Sequence, residues 1–181
     1  RLLGKIIKEK DSPLRQGEEV VEMLAEHKGT AEFIAMKLAR FFVADVPPKT
    51  LVKALAKTYR KAKGNIPDLL RTLIKSDEFW ARENYQTKFK TPYEFLMSAL
   101  RATQADIQND LALHRGLREM GQPIYHCDDP TGYYDTAEAW LDPGVMALRW
   151  EFALGLAGNK VRGVEIAPDY YDSLPQAVPR L

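Results

Sequence analysis

One cysteine, Cys127, in 181 residues excludes an intrachain disulfide and leaves a reducing and an oxidising compartment equally open. No apolar run approaches the roughly 18 to 20 residues that a membrane-spanning helix needs, so no membrane span is expected. An excess of one charge is also lacking, with 26 Lys and Arg against 25 Asp and Glu. Nucleic-acid recognition normally needs a basic domain or stripe, so nucleic acid is not an expected partner. There is no G-x-S-x-G elbow, no phosphate-binding glycine loop and no pair of histidines four apart on a helix. Those absences remove the most readily recognised serine-hydrolase, nucleotide-binding and zinc-protease readings, and no cofactor is implied. Sustained apolar–polar alternation is missing as well, which argues against a substantial sheet.

What is present is 45% hydrophobic and 28% charged residues, enough apolar content for a packed core. Helical spacing recurs along most of the chain. Val20, Val21 and Leu24 mark one helix, and Phe33, Ile34, Leu38, Phe41 and Phe42 predict a broad buried face on a second, ended by Pro47 and Pro48. Leu51, Val52, Leu55 and Tyr59 make a third face, and Asn65 is a cap for a fourth helix carrying Leu69, Leu70, Leu73 and Ile74. Phe79 and Trp80 follow as two large anchors. Thr91 and Glu94 have the spacing of a reciprocal helix-start box, and Leu113, Leu117 and Met120 line one side of a later helix. Asp142 and Pro143 open a helix that is apolar nearly all round, which predicts a place at the centre of a bundle.

The expected fold is therefore all-α, a bundle of about six or seven helices with one long ordered loop. A partly extended lead-in is expected over 1–16, a helical domain over 17–159 and a proline-containing tail over 160–181. The chain does not begin with methionine or a signal sequence, which suggests a piece of a longer protein.

The non-periodic stretch is Gly121 to Trp150, GQPIYHCDDPTGYYDTAEAWLDPGVMALRW. Thr131, Gly132, Tyr133, Tyr134 and Trp140 are the best candidates for a binding surface. Loop aromatics stack on sugar rings or partner side chains, and Asp128, Asp129 and Asp135 can accept hydroxyl hydrogen bonds. The competing reading is an ordered loop whose aromatics plug the bundle. His126, Cys127, Asp128 and Asp129 crowd metal-ligating groups together, but strong zinc signatures space their ligands two to four apart in two pairs. They are weak metal candidates, which His27 and His114 could complete only if the fold brings them near. His27 also precedes a helix start, where a cap is the plain role and a general base or ligand the sharper one. Arg149, in an apolar helix, needs a partner if buried; a loop aspartate or loop carbonyls would make it a clamp between loop and helix.

Two blocks carry a resemblance. HKGTAEFIAMKLARFFVADVPP and GQPIYHCDDPTGYYDTAEAWLDPGVMALRWEFA resemble the two signatures of the bacterial domain-of-unknown-function family number 1800, with matching helices between them, over roughly residues 20 to 157. Gln122 stands in the second signature's glycine-glutamine-proline turn. Lys28, Tyr134 and the pair Trp150 and Glu151 depart from the family's usual residues. The resemblance implies the C-terminal portion of a longer bacterial protein, often exported or periplasmic, with no known activity. The expected role is a binding or assembly module whose contact surface is the 121–142 loop. Its partner would be another protein, the N-terminal half of the same chain, or a carbohydrate. A hydrolase-like or metal-dependent enzyme with its site at the same loop is the alternative.

Overall fold

Capping signals and apolar spacing place most helices where the sequence puts them, and a computed structural model describes residues 2–7, 12–167 and 170. The helical stretch expected as one domain divides into two units, residues 1–88 and 89–181, each with its own apolar core. Among the described residues there are eight α-helices and a single pair of two-residue strands, so the chain is essentially all-α.

The first unit holds α1 (Pro13–Ala25), α2 (Lys28–Phe42), α3 (Lys49–Lys61), α4 (Ile66–Ile74) and the short α5 (Asp77–Trp80). α1 begins inside the expected lead-in because Pro13 suits a first helical turn, whereas residues 1 and 8–11 of that lead-in lie outside the described residues. Of the face that the spacing suggests on α2, Ile34 and Leu38 pack against the core while the phenylalanines do not. Ala31, Ala35 and Ala39, four apart, are fully buried against Leu51, Leu55 and Tyr59 of α3 and Leu69 and Leu73 of α4, while Phe33, Phe41 and Phe42 are exposed. Side chains that stop at Cβ let two helix backbones approach closely, and the bulkier phenylalanines are left at the margin. Asn65 caps α4 by accepting the Asp68 amide at 3.2 Å. Of the two expected anchors, only Phe79 packs on the core; Trp80 is exposed and is held by its indole N–H, which donates to the Ile74 carbonyl at 2.7 Å.

The second unit holds α6 (Pro92–Ala102), α7 (Leu111–Glu119) and α8 (Pro143–Ala157), with β1 (Asp106–Ile107) paired antiparallel to β2 (Val164–Glu165). The box at the start of α6 forms as read: Glu94 donates its amide to Thr91 Oγ1, and Thr91 donates its own to Glu94 Oε2. Leu96, Leu100, Leu113, Leu117, Met120 and Leu156 make the core with Val164 and Ile166. Val161, Val164 and Ile166 of the expected tail therefore pack on the core; Asn159 binds the Ile166 peptide through both its oxygen and its nitrogen, at 2.7 and 2.9 Å. The expectation for residues 168, 169 and 171–181 falls outside the described residues.

α8 is not central. Its buried residues are Arg149 and Leu156, whereas Trp150 and Leu154 are exposed, four apart on an outward face. A helix with apolar residues all round has no periodicity to say which side is covered. The strand pair sets Asp106 directly opposite Glu165, and the turn ahead of β2 depends on Gly163. Gly163 has φ +78, its carbonyl accepts the Gln108 and Asn109 amides at 2.9 and 3.0 Å, and a Cβ there would lie 2.7 Å from the Asn109 carbonyl oxygen. Strain and clash together should cost Gly163→Ala at least about 2 kcal/mol of unfolding free energy. Urea titration checks this, and a loss below about 0.5 kcal/mol, the ordinary surface range, would contradict it.

Candidate functional site: the loop between α7 and α8

The loop leaves α7 through Gly121, whose φ of +84 lets Gln122 turn back and donate its amide to the Leu117 carbonyl at 2.8 Å. The Gln122 side chain then accepts the Tyr93 amide at 2.8 Å. Tyr93 lies in the first turn of α6, where amides have no partner inside the helix, so this bond ties the loop to α6. Further on, the Tyr133 hydroxyl donates to the Pro123 carbonyl at 2.7 Å, and the indole N–H of buried Trp140 donates to the Tyr134 carbonyl at 3.0 Å. Their rings lie 6.2 Å apart. The loop ends on Asp142, whose carboxylate accepts the Gly144 and Val145 amides and caps α8.

A small turn forms the tip. Asp129 accepts the Thr131 amide at 2.8 Å and its hydroxyl at 2.6 Å, and Gly132, at φ +85, donates its amide to the Asp129 carbonyl. The Thr131 hydroxyl first, and then its amide, hold the Asp129 carboxyl below its ordinary value. Tyr133 is shifted upward, chiefly by desolvation and then by Cys127 and Asp128.

Gln122, Tyr133 and Trp140 are thus bound into the fold, and Thr131 and Gly132 shape the turn. The aromatics displayed are Tyr134, 74% exposed, and Tyr125, fully exposed. Tyr125 is absent from the sequence candidates although it is an aromatic in a polar, non-periodic run. Its φ of +59 is uncommon for a bulky residue, and it lies in the turn where the His126 amide donates to the Pro123 carbonyl at 3.4 Å. His27 belongs to the first unit and caps α2, its Nδ1 accepting the Gly29 amide at 3.1 Å. His114 lies 3.3 Å from Asp110 on its own helix, α7. Among the described residues no three His, Cys, Asp or Glu side chains converge to hold a metal ion, so His126, Cys127, Asp128 and Asp129 do not form a ligand set.

Arg149 does not reach the loop. Only 3% exposed, it donates from Nη1 to the Lys90 carbonyl at 2.7 Å, and its guanidinium lies 4.6 Å from the Phe89 ring and 5.5 Å from that of Phe95. Its Nε and Nη2 are buried with no hydrogen-bond partner. Burial lowers its pKa, yet a guanidinium stays charged throughout the working range. The clamp expected between loop and helix is instead a clamp on the segment entering α6, because the carbonyl that its Nη1 meets is that of Lys90.

Two outcomes follow. Thr131→Val removes the largest cause of the Asp129 shift, so the carboxyl's midpoint in an NMR titration should rise towards the ordinary aspartate range; an unmoved midpoint would refute the turn's role. Since the folded value is below the unfolded one, the stabilisation is present above the unfolded pKa and is lost as pH falls through the folded one. Arg149→Met removes two unsatisfied donors together with one hydrogen bond and two cation–π contacts, and should lie within about 1 kcal/mol of wild type or above it. A loss of 3 kcal/mol or more, on the order expected when a buried pair is broken, would instead reveal an ion partner.

No helix among the described residues is long and apolar enough to cross a membrane. The family described as "Protein of unknown function (DUF1800)" matches residues 1–180. No curated protein and no solved structure matches the chain.

Proposed function

The chain belongs to the DUF1800 family of proteins of unknown function, and on that premise we propose that it is a non-catalytic binding or assembly module of an exported bacterial protein, with its contact surface on the 121–142 loop. The observation that carries this reading is the division of labour among the loop aromatics: Tyr133 and Trp140 are bonded into the fold while Tyr125 and Tyr134 face solvent. Tyrosine loses few rotatable bonds on binding and offers both a ring face and a hydroxyl, so rings displayed on a fixed backbone lower the ordering cost of association. Either another protein or a carbohydrate can stack on such rings. The alternative is a hydrolase-like or metal-dependent enzyme at the same loop; for its metal-dependent form, no set of three ligands converges there among the described residues.

The test is Tyr125→Ala/Tyr134→Ala in the full-length protein. Because both rings are exposed, stability should stay within about 0.5 kcal/mol of wild type. Cross-links from the loop to a protein partner, or NMR shifts of loop amides on titration with neutral oligosaccharides, should weaken at least tenfold. Contacts that survive the double substitution unchanged would overturn the assignment.

A further inference from the structure

A second surface of residues 89–181 has a chemistry that the loop does not use. Two adjoining grooves, of about 490 and 510 Å3, run beside α7, α8 and the turn before β2, and both are lined by Ala112, Arg115 and Arg162. Each volume is within the range of small-molecule sites. The grooves differ in character.

The groove nearer the strand pair holds both arginines and no carboxylate; Gln108 and Asn109 add side-chain amides. Asn109 accepts the Leu111 amide through Oδ1 at 2.9 Å, which leaves its Nδ2 as a donor. The other groove has an apolar floor of Met120, Leu148, Phe152 and Val161, with the exposed Leu154 also among its lining residues. Gly155 keeps that floor open, since a Cβ there would already touch Val161 at 3.6 Å. Its acids, Glu119 and Glu151, form no ion pair with Arg115 or Arg162, and neither does Glu165 on β2. His114, beside Arg115, is taken up by Asp110. Among the described residues Arg115 and Arg162 therefore present two guanidinium groups that form no ion pair, at the junction of a donor-rich pocket and an apolar one that also carries Lys160 and the two glutamates.

We propose that these grooves form a binding site for an anionic amphiphile, with its carboxylate or phosphate head between Arg115 and Arg162 and its apolar chain over Leu148 and Phe152. Guanidinium groups recognise planar or tetrahedral oxyanions through paired N–H donors, and two of them at one spot favour a charged head over a neutral one. Carboxylates, Glu119 and Glu151, line only the apolar groove, where Lys160 partly offsets them, so an anionic head is better placed on the strand-pair side, which sets the polarity of the ligand along the site. The site is independent of the tyrosine loop.

NMR-observed titrations with octanoate, octyl phosphate and octanol test it on the intact protein. Saturable shifts at Arg115, Gly155 and Arg162 are expected for at least one anion, and the better of the two identifies the head group. Octanol should bind at least tenfold more weakly, and raised salt should weaken the anions but not octanol. Arg115→Gln/Arg162→Gln should lower anion affinity at least tenfold, whereas Arg115→Lys/Arg162→Lys, which keeps the charge, should retain more of it than the glutamine pair. Tyr125→Ala/Tyr134→Ala should leave it unchanged. The proposal fails if neither anion saturates, if octanol binds equally well, or if the glutamine variant binds like wild type.

Discussion

With a single two-residue strand pair among the described residues, this chain has almost no ladder in which non-helical backbone can be satisfied, and that constraint shapes everything between its helices. Buried amides and carbonyls outside helices must be met by side chains or turns. Asn65, Thr91, Gln122, Asp142 and Asn159 each serve a backbone amide, and Tyr133, Trp140 and Arg149 each serve a carbonyl. The polar side chains that attract attention as chemistry are in large part this backbone's substitute partners. Function is then left to groups that the backbone does not claim.

Apolar residues follow a similar economy. The first unit closes its α2–α3 contact with alanines and leaves phenylalanines outside; the second covers one side of α8 and leaves Trp150 and Leu154 outside. Apolar surface on a folded protein is ordinary, so these positions alone identify no partner. The tyrosine loop differs because its exposed rings are mounted on a backbone held at both ends by named bonds.

Much of this was legible from residues alone. The Thr91–Glu94 box, the Asn65 and Asp142 caps and the Leu113, Leu117 and Met120 face all form as spacing suggests, because each depends on contacts within one turn or one helix. Less legible were choices settled across the fold. Spacing weights the large side chains of α2, and a face built of Ala31, Ala35 and Ala39 is invisible to it. The all-round apolar pattern of α8 carries no direction, and the partner of Arg149 lies 59 residues away in sequence, at Lys90. Nor does sequence separate Tyr133, spent on the Pro123 carbonyl, from Tyr134 and Tyr125, which are not. Arg115 and Arg162 come from segments that only the fold brings to one groove.

The strand pair itself bears on how this molecule can be recognised. Asp106 and Glu165 stand opposite each other, so like charges face across a ribbon only two residues long. An incoming chain seeking to extend that ribbon would gain few main-chain bonds and would pair with a strand that carries a carboxylate, whichever of the two it approached. That ribbon is therefore a poor template for strand addition, and among the described residues recognition falls to side chains.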